Sequence, residues 1–162
     1  MMENERKTDV IRTKTSIGIF IILLLLLLSS CGQTSRTTIE ARLYKFRIEG
    51  TAPDSYHGIK EGETAYLVFR RFLDVKGETI PEVFCIKQYS AKEKEMMDQA
   101  SSGSLLKITL PPDVEAPLIP NIYPYSIKLV KKDAPVIEQE VLDYLAAHGW
   151  SYPLLDPPAE IK

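Results

Sequence analysis

Residues 64–89 read TAYLVFRRFLDVKGETIPEVFCIKQY and predict a β-hairpin. Apolar and aromatic residues dominate both arms, residues 64–73 and 80–89, as is typical of strands that pack on a core. Between the arms, Asp74-Val75-Lys76-Gly77 supplies a turn, with glycine where the backbone needs a positive φ. Pro81 suits only the beginning of the returning strand or a sheet edge, because proline has no N–H to donate.

Further strands are predicted on both sides of the hairpin. Residues 39–48 alternate in hydropathy, with a change of phase at Leu43-Tyr44 that indicates a bulge. Residues 106–110 and 125–129 also alternate and predict two later strands. The five prolines between residues 111 and 124 exclude regular structure in this part of the chain and favour an extended connection.

Two helices are predicted. Ser90 and Glu93 fit a capping box at the start of a short helix that runs to residue 100. A C-terminal helix is indicated by apolar residues at helical spacing, with Asp133 as N-cap and Pro135 in the first turn. These apolar residues are Ile137, Val141, Leu142 and Leu145.

This order of elements predicts an α+β, β-rich fold: a small antiparallel sheet that forms a barrel or sandwich, with one short internal helix and a C-terminal helix. Over residues 39–130 it resembles an oligonucleotide- or oligosaccharide-binding (OB) barrel, which has a helix between its third and fourth strands. The likeness is one of topology and implies no particular ligand. Trp150 and Tyr152 follow the last helix, and we expect them to fold back over the core; an aromatic ligand or membrane-contact patch is the alternative.

The first 30 residues differ in character from the rest. Basic side chains at Arg6, Lys7, Arg12 and Lys14 precede an apolar run over positions 17–28. These twelve residues are fewer than the roughly 20 that a membrane-spanning helix needs, and they suit a signal peptide. An uncleaved signal anchor and a cleaved, unlipidated secretory peptide are the alternatives.

The apolar run ends in Leu28-Ser29-Ser30-Cys31, which resembles the lipobox of bacterial lipoproteins. The resemblance implies that the sulfur of Cys31 receives a diacylglycerol, that the preceding peptide is removed, and that the freed amine is acylated, palmitate being the kind of fatty acid involved. Two or more acyl chains hold a protein stably at a bilayer. In that family, aspartate after the cysteine commonly signals inner-membrane retention. Gly32 at this position favours the outer membrane, facing the periplasm or the cell surface.

The chain therefore divides into a lipoprotein signal peptide (1–30), a lipidated tether (31–38) and a single β-rich domain (39–162). Residues 1–30 hold four of the 20 basic and three of the 22 acidic residues, which leaves 16 basic against 19 acidic side chains, a net charge of −3. A nucleic-acid-binding protein normally carries a clustered basic face. We expect no nucleic-acid partner.

The second cysteine, Cys85, has no intramolecular disulfide partner if Cys31 carries lipid. It lies in the apolar run Val83-Phe84-Cys85-Ile86, so we expect a buried core residue and no catalytic thiol.

Catalytic signatures are absent from the sequence. It contains no G-x-S-x-G, H-E-x-x-H, glycine-rich phosphate loop or C-x-x-C motif. His57 lies in a predicted loop and His148 at a helix end, far apart in sequence. We therefore predict no enzyme, no cofactor and no metal site.

The sequence favours a non-enzymatic binding or structural module of the cell envelope, with a protein or glycan partner. One alternative is a hydrolase of envelope polymers that uses dispersed carboxylates such as Glu82, Asp113 and Glu115. Another is a small exported enzyme inhibitor. Whether the aromatic side chains of Tyr44, Tyr66, Tyr89 and Trp150 converge on one surface is left open by the sequence.

Overall fold

The computed structural model describes residues 36–50, 58–111, 119–131 and 133–162. These residues form six strands and two helices. In chain order they are β1 (Thr37–Arg47), β2 (Thr64–Val75), β3 (Glu78–Ile86), α1 (Ala91–Gln99), β4 (Leu105–Leu110), β5 (Asn121–Ile122), β6 (Ser126–Leu129) and α2 (Gln139–Ala147).

The strands form one mixed sheet in the order β5-β3-β2-β1-β4-β6. All neighbouring pairs are antiparallel except β3 and β5, which are parallel. β5 and β6 occupy opposite edges, yet only residues 123–125 separate them, a path of at most about 14 Å from Ile122 to Ser126. The sheet must therefore curl until its edges approach each other. This half-barrel confirms the predicted α+β, β-rich fold class.

The concave face of the sheet encloses the first hydrophobic core. Every strand contributes to this core, and α1 packs Met97 and Ala100 against it. The largest fully buried side chains of the core include Tyr66, Phe84 and Ile108. Burial of each such side chain contributes roughly 1.5–3 kcal/mol. The core therefore fixes both the curl of the sheet and the place of α1.

A second core covers the outer face of β1, β2 and β3. Here α2 contributes Val141 and Leu145, and the following segment contributes Trp150, which is only 5% exposed. The prediction that the chain after the last helix folds back over the core is thus confirmed for Trp150. OB-type barrels use the face of strands 2 and 3 for ligands. In this chain that face is buried.

The two cores explain the change of phase in β1. Leu43 faces the inner core and Tyr44 the outer one, and the register of β1 with β2 runs through this point without a shift, whereas the pairing of β1 with β4 ends at Arg42. The predicted bulge at Leu43-Tyr44 is therefore wrong: the alternation continues, but both faces are covered. The sheet has its irregularity between Phe69 and Arg71 instead.

The predicted hairpin is confirmed. Its turn residues Lys76 and Gly77 both have positive φ, 56° and 86°, and the Gly77 amide donates to Asp74 Oδ1 at 2.9 Å. Pro81 pairs with Phe72 of β2, and β5 meets β3 only at Cys85 and Ile86. Within the described residues, Pro81 therefore lies on the unpaired edge, where its missing N–H costs no ladder bond.

The helix predictions differ in outcome. At α1 the capping box is present: Ser90 Oγ accepts from the Glu93 amide, and Glu93 Oε2 accepts from the Ser90 amide. The prediction of Asp133 as N-cap of α2 is wrong, because that helix begins after Glu138 and has no side-chain cap. Its first amide, that of Gln139, donates instead to the carbonyl oxygen of Lys162 at 2.6 Å.

Two strand boundaries also differ from expectation. Asn121 and Ile122 pair with β3 inside the proline-rich connection that was expected to be irregular. At the other end of the domain, Thr37 and Thr38 pair with Leu110 and Thr109. The last two residues of the predicted tether therefore belong to the sheet.

Lys45 is a buried cation on the inner face of β1, 2% exposed. Its ammonium group donates to Asp156 Oδ2 at 2.6 Å and to the carbonyl oxygen of Asp98 in the last turn of α1 at 3.0 Å. The final carbonyls of a helix lack intrahelical donors and carry partial negative charge. Lys45 thus joins β1, the end of α1 and the C-terminal segment.

Replacing Gly103 tests the close approach between the turn before β4 and the segment before α2. Gly103 has φ +87°, and an added Cβ would lie 2.6 Å from both the amide nitrogen and the carbonyl oxygen of Val136. We expect Gly103→Ala to lower the free energy of unfolding by about 3 kcal/mol, measured by urea denaturation.

The matched control is Gly77→Ala. Gly77 has nearly the same φ, +86°, but no atom lies within 4 Å of an added Cβ. Only the left-handed backbone conformation is penalised there, at a cost of about 1 kcal/mol. Equal losses in the two variants would contradict the assigned contact.

Candidate binding site

A polar pocket of about 420 Å³ opens where β1 ends and β2 begins. The strand ends supply Arg47 and Lys87, α1 supplies Lys94, and the approach to β2 supplies Glu63. Two aromatic side chains complete the site, Tyr66 from β2 and Tyr89 from the segment before α1. The residues after β1 and before β2 form one wall.

Tyr66 and Tyr89 form the aromatic part of the pocket. Their ring centroids lie 5.4 Å apart at an interplanar angle of 80°, an edge-to-face arrangement that favours both rings. The Tyr66 hydroxyl donates a short hydrogen bond to Asp98. Burial, and next the bond to Asp98, raise the pKa of Tyr66 well above its ordinary value. The phenol therefore stays protonated and remains a donor at physiological pH.

Lys94 and Asp98 connect this aromatic pair to α1. Lys94 Nζ lies 2.6 Å from Asp98 Oδ2, one helical turn away. Partial burial alone would raise the pKa of Asp98, but hydrogen bonds from Lys94 and Tyr66 outweigh it and lower that pKa. The hydrogen bond to Asp98, and next an interaction with the Tyr66 hydroxyl, raise the pKa of Lys94. Lys94, which lines the pocket, is thus paired with Asp98.

Arg47 and Lys87 differ from Lys94 because neither has an ion-pair partner among the described residues. The nearby acid, Glu63, accepts a hydrogen bond from the Lys60 amide at 2.8 Å. Two uncommitted cations beside two tyrosines suit a ligand that carries negative charge and many hydroxyl groups. The arrangement offers charge-assisted and aromatic contacts for binding.

Cys85 belongs to the outer core and does not line the pocket. It is fully buried in β3, as expected from the sequence, and burial raises the pKa of its thiol to about 12. This setting differs from the exposed, electropositive surroundings of a reactive cysteine.

Of the three carboxylates named for the hydrolase alternative, Glu82 is the one that lies among the described residues. Glu82 is 9% exposed and paired with Arg71 at 3.1 Å and Arg70 at 3.4 Å. Asp113 and Glu115 lie outside the described residues, as do His57 and the predicted lipid-attachment residue Cys31. His148 stacks on Tyr144, and its ring nitrogen Nδ1 lies 2.7 Å from the Tyr144 carbonyl oxygen.

The four aromatic residues left open by the sequence separate into two pairs. Tyr66 and Tyr89 belong to the inner core and the pocket, whereas Tyr44 and Trp150 belong to the outer core. The Tyr44 hydroxyl accepts a bond from the Glu138 amide at 3.1 Å. Burial is the main reason that the pKa of Tyr44 rises to about 12. No single surface unites all four.

Sequence reasoning missed the basic side of the pocket. It assigned no role to Arg47, Lys87 or Lys94. The available signal was the i,i+4 spacing of Lys94 and Asp98, which allows the ion pair but does not place Tyr66 beside it.

The described residues contain no cluster of three or more His, Cys, Asp or Glu that could hold a metal ion. Nor do they include a helix with the length and apolar character to span a bilayer. Comparison of the chain with protein-family models, curated proteins and solved structures found no match.

The Asp98 cluster predicts a specific dependence of stability on pH. A carboxyl group whose pKa is lower in the folded than in the unfolded chain stabilises the fold above its ordinary pKa, 3.8 for Asp98. That contribution is lost as the pH falls through the lowered pKa that Asp98 has in the folded chain. The stability difference between the native chain and Asp98→Asn should therefore shrink on acidification below about pH 5.

Urea titrations at a series of pH values measure this difference. Tyr66→Phe removes one of the two hydrogen bonds but leaves Lys94, so its pH profile should fall between those of the native chain and Asp98→Asn. Parallel profiles for the native chain and Asp98→Asn would show that the cluster does not hold the pKa down.

Proposed function

We propose that this chain is a lipid-anchored protein of the bacterial cell envelope and that its β-rich domain is a binding module for an anionic glycan. The anchor rests on the sequence Leu28-Ser29-Ser30-Cys31, preceded by a basic segment and a short apolar run. The sheet starts at Thr37, six positions after Cys31. A domain held this closely works at the bilayer surface.

The single observation that carries the binding role is the pocket with Arg47 and Lys87 beside Tyr66 and Tyr89. Guanidinium and ammonium groups donate charge-assisted hydrogen bonds to carboxylates and phosphates. Tyr89 is only partly buried, so its ring can supply an apolar face and its hydroxyl a hydrogen bond to a sugar, while the buried Tyr66 packs edge-to-face against it. Anionic sugars of the envelope combine both features, and they share a compartment with a lipid-anchored domain.

The rest of the fold supports a site at this end of the sheet. The broad face of β1, β2 and β3 is buried beneath α2 and Trp150, so it offers no open surface to a polymer. The pocket lies instead at the β1–β2 connection, one of the loop regions that OB-type barrels use for oligosaccharides. Residues 51–57 of that connection lie outside the described part of the chain.

The anchor is tested by growing cells with a radioactive fatty acid. We expect the native chain to incorporate label and the Cys31→Ala variant to incorporate none. Thiol titration gives a second readout, because Cys85 is buried in the folded domain. The labelled protein should show one reactive thiol after denaturation, that of Cys85, because a thioether at Cys31 does not react. The anchor would be overturned if Cys31→Ala still incorporated the label. It would also be overturned if the unsubstituted protein showed two reactive thiols after denaturation.

The binding role is tested with soluble peptidoglycan fragments whose carboxylates are either free or amidated. Calorimetric titration of the mature chain should detect binding of the free form. Arg47→Glu and Lys87→Glu should each weaken it about tenfold or more, since a charge-assisted hydrogen bond contributes about 1.5–3 kcal/mol. Amidation of the fragments should likewise reduce their affinity for the native chain.

Lys107→Glu is the matched control, because Lys107 is an exposed lysine of β4 that does not line the pocket. It makes the same change in net charge and should leave the affinity nearly unchanged. Equal losses in all three variants would indicate attraction by overall charge. Undetectable binding of both fragment forms would remove the support for a peptidoglycan ligand.

A further inference from the structure

Two exposed tyrosines lie close together in sequence after β5, and the second, Tyr125, is held beside the start of β1. Tyr123 and Tyr125 are 55% and 57% exposed, more than any other large apolar side chain among the described residues. They belong to the short connection between β5 and β6. The Tyr125 amide donates to the carbonyl oxygen of Thr109 at 2.8 Å, and Thr109 pairs with Thr38 near the start of β1.

Arg36 lies in the same place. Its guanidinium carbon is 5.2 Å from the centroid of the Tyr125 ring, a cation–π contact. Arg36 has no ion-pair partner among the described residues, so its charge remains available to an anion. A cation and two amphipathic rings thus share one solvent-exposed corner of the domain.

Chain length places this corner at the membrane. Five peptide units separate Cys31 from Arg36, and a fully extended chain covers at most about 18 Å over that distance. If Cys31 carries lipid, Arg36 lies within about 18 Å of the bilayer surface in every orientation of the domain. The far end of β1 lies about 33 Å away along an eleven-residue strand.

We propose that Arg36, Tyr123 and Tyr125 form a membrane-facing patch that seats the domain on the phospholipid headgroups of the bilayer in which the Cys31 lipid is inserted. Tyrosine rings concentrate at the headgroup level, where the ring lies in an apolar layer and the hydroxyl stays hydrated. Arg36 pairs with lipid phosphate. This inference rests on the proposed anchor and adds an orientation: the corner at the start of β1 faces the membrane, and the turn beside the end of β1 faces away from it.

The orientation is measurable with a fluorescent label on the lipidated chain. Cys85 is buried and Cys31 is occupied by lipid, so an introduced cysteine is the single reactive thiol of the folded protein. Tyr123→Cys reports on the patch. Glu61→Cys is the control, because Glu61 is exposed in the turn next to Gly62, whose amide bonds to Ile48 just beyond β1.

Both labelled proteins are reconstituted into vesicles of phosphatidylethanolamine with a minor share of phosphatidylglycerol. We expect a nitroxide near the lipid headgroup to quench the label at position 123 several-fold more than the label at position 61. Aqueous iodide should show the opposite order. Equal quenching at the two positions, in protein that floats with the vesicles, would overturn the patch while leaving the anchor intact.

Arg36→Glu supplies a second measurement in a fully lipidated chain. Repulsion from the lipid phosphates should reduce nitroxide quenching at position 123 several-fold, while the protein still floats with the vesicles. Unchanged quenching would exclude a role for Arg36. Protein that carries no lipid and does not float would overturn the anchor and the patch together, and fatty-acid labelling identifies that case.

Discussion

The buried ammonium group of Lys45 is the constraint on which the arrangement of the domain depends. A buried charge is tolerated only when it is paired and hydrogen-bonded. The two partners of Lys45 come from different parts of the chain, the end of α1 and the C-terminal segment. Ser102 reinforces the junction by accepting from the Lys45 amide and donating to the Leu155 carbonyl oxygen. The position of α1 in turn fixes Asp98, and Asp98 holds the Tyr66 hydroxyl in the pocket wall.

Those parts of the fold that depend on neighbouring residues could be predicted from the sequence. The hairpin turn needs only Asp74 and Gly77, and the start of α1 needs only Ser90 and Glu93, because both devices close within four residues. The start of α2 could not be predicted, since its first amide is satisfied by the Lys162 carbonyl oxygen, far away in sequence. The two-residue β5 was missed for the same reason. Its strand character comes from pairing with β3 and not from local pattern.

The residues of the candidate binding site divide in the same way, into those that the local sequence indicates and those that only the fold brings together. Tyr66 and Tyr89 were recognised as aromatic candidates, but alternation cannot tell which of two covered faces a side chain occupies, and Tyr44 was grouped with them. A strand that is buried on both sides presents an apolar residue at nearly every position, as residues 43–46 show apart from Lys45. The role of Arg47 and Lys87 can be seen only in the fold, where the ends of β1 and β3 bring both residues to one pocket. No spacing in the sequence relates these two residues.

The pairing of Lys45 with Asp156 spans 111 positions of the chain. A polypeptide that emerges N-terminus first exposes β1 early but completes this pair only after residue 156 has emerged. Until then Lys45 lacks one of its partners, and the outer face of the central strands lacks the cover that α2 and Trp150 provide. Closure of the described fold is therefore coupled to the arrival of α2 and of the segment that follows it, because these parts complete the outer core and the Lys45 pair.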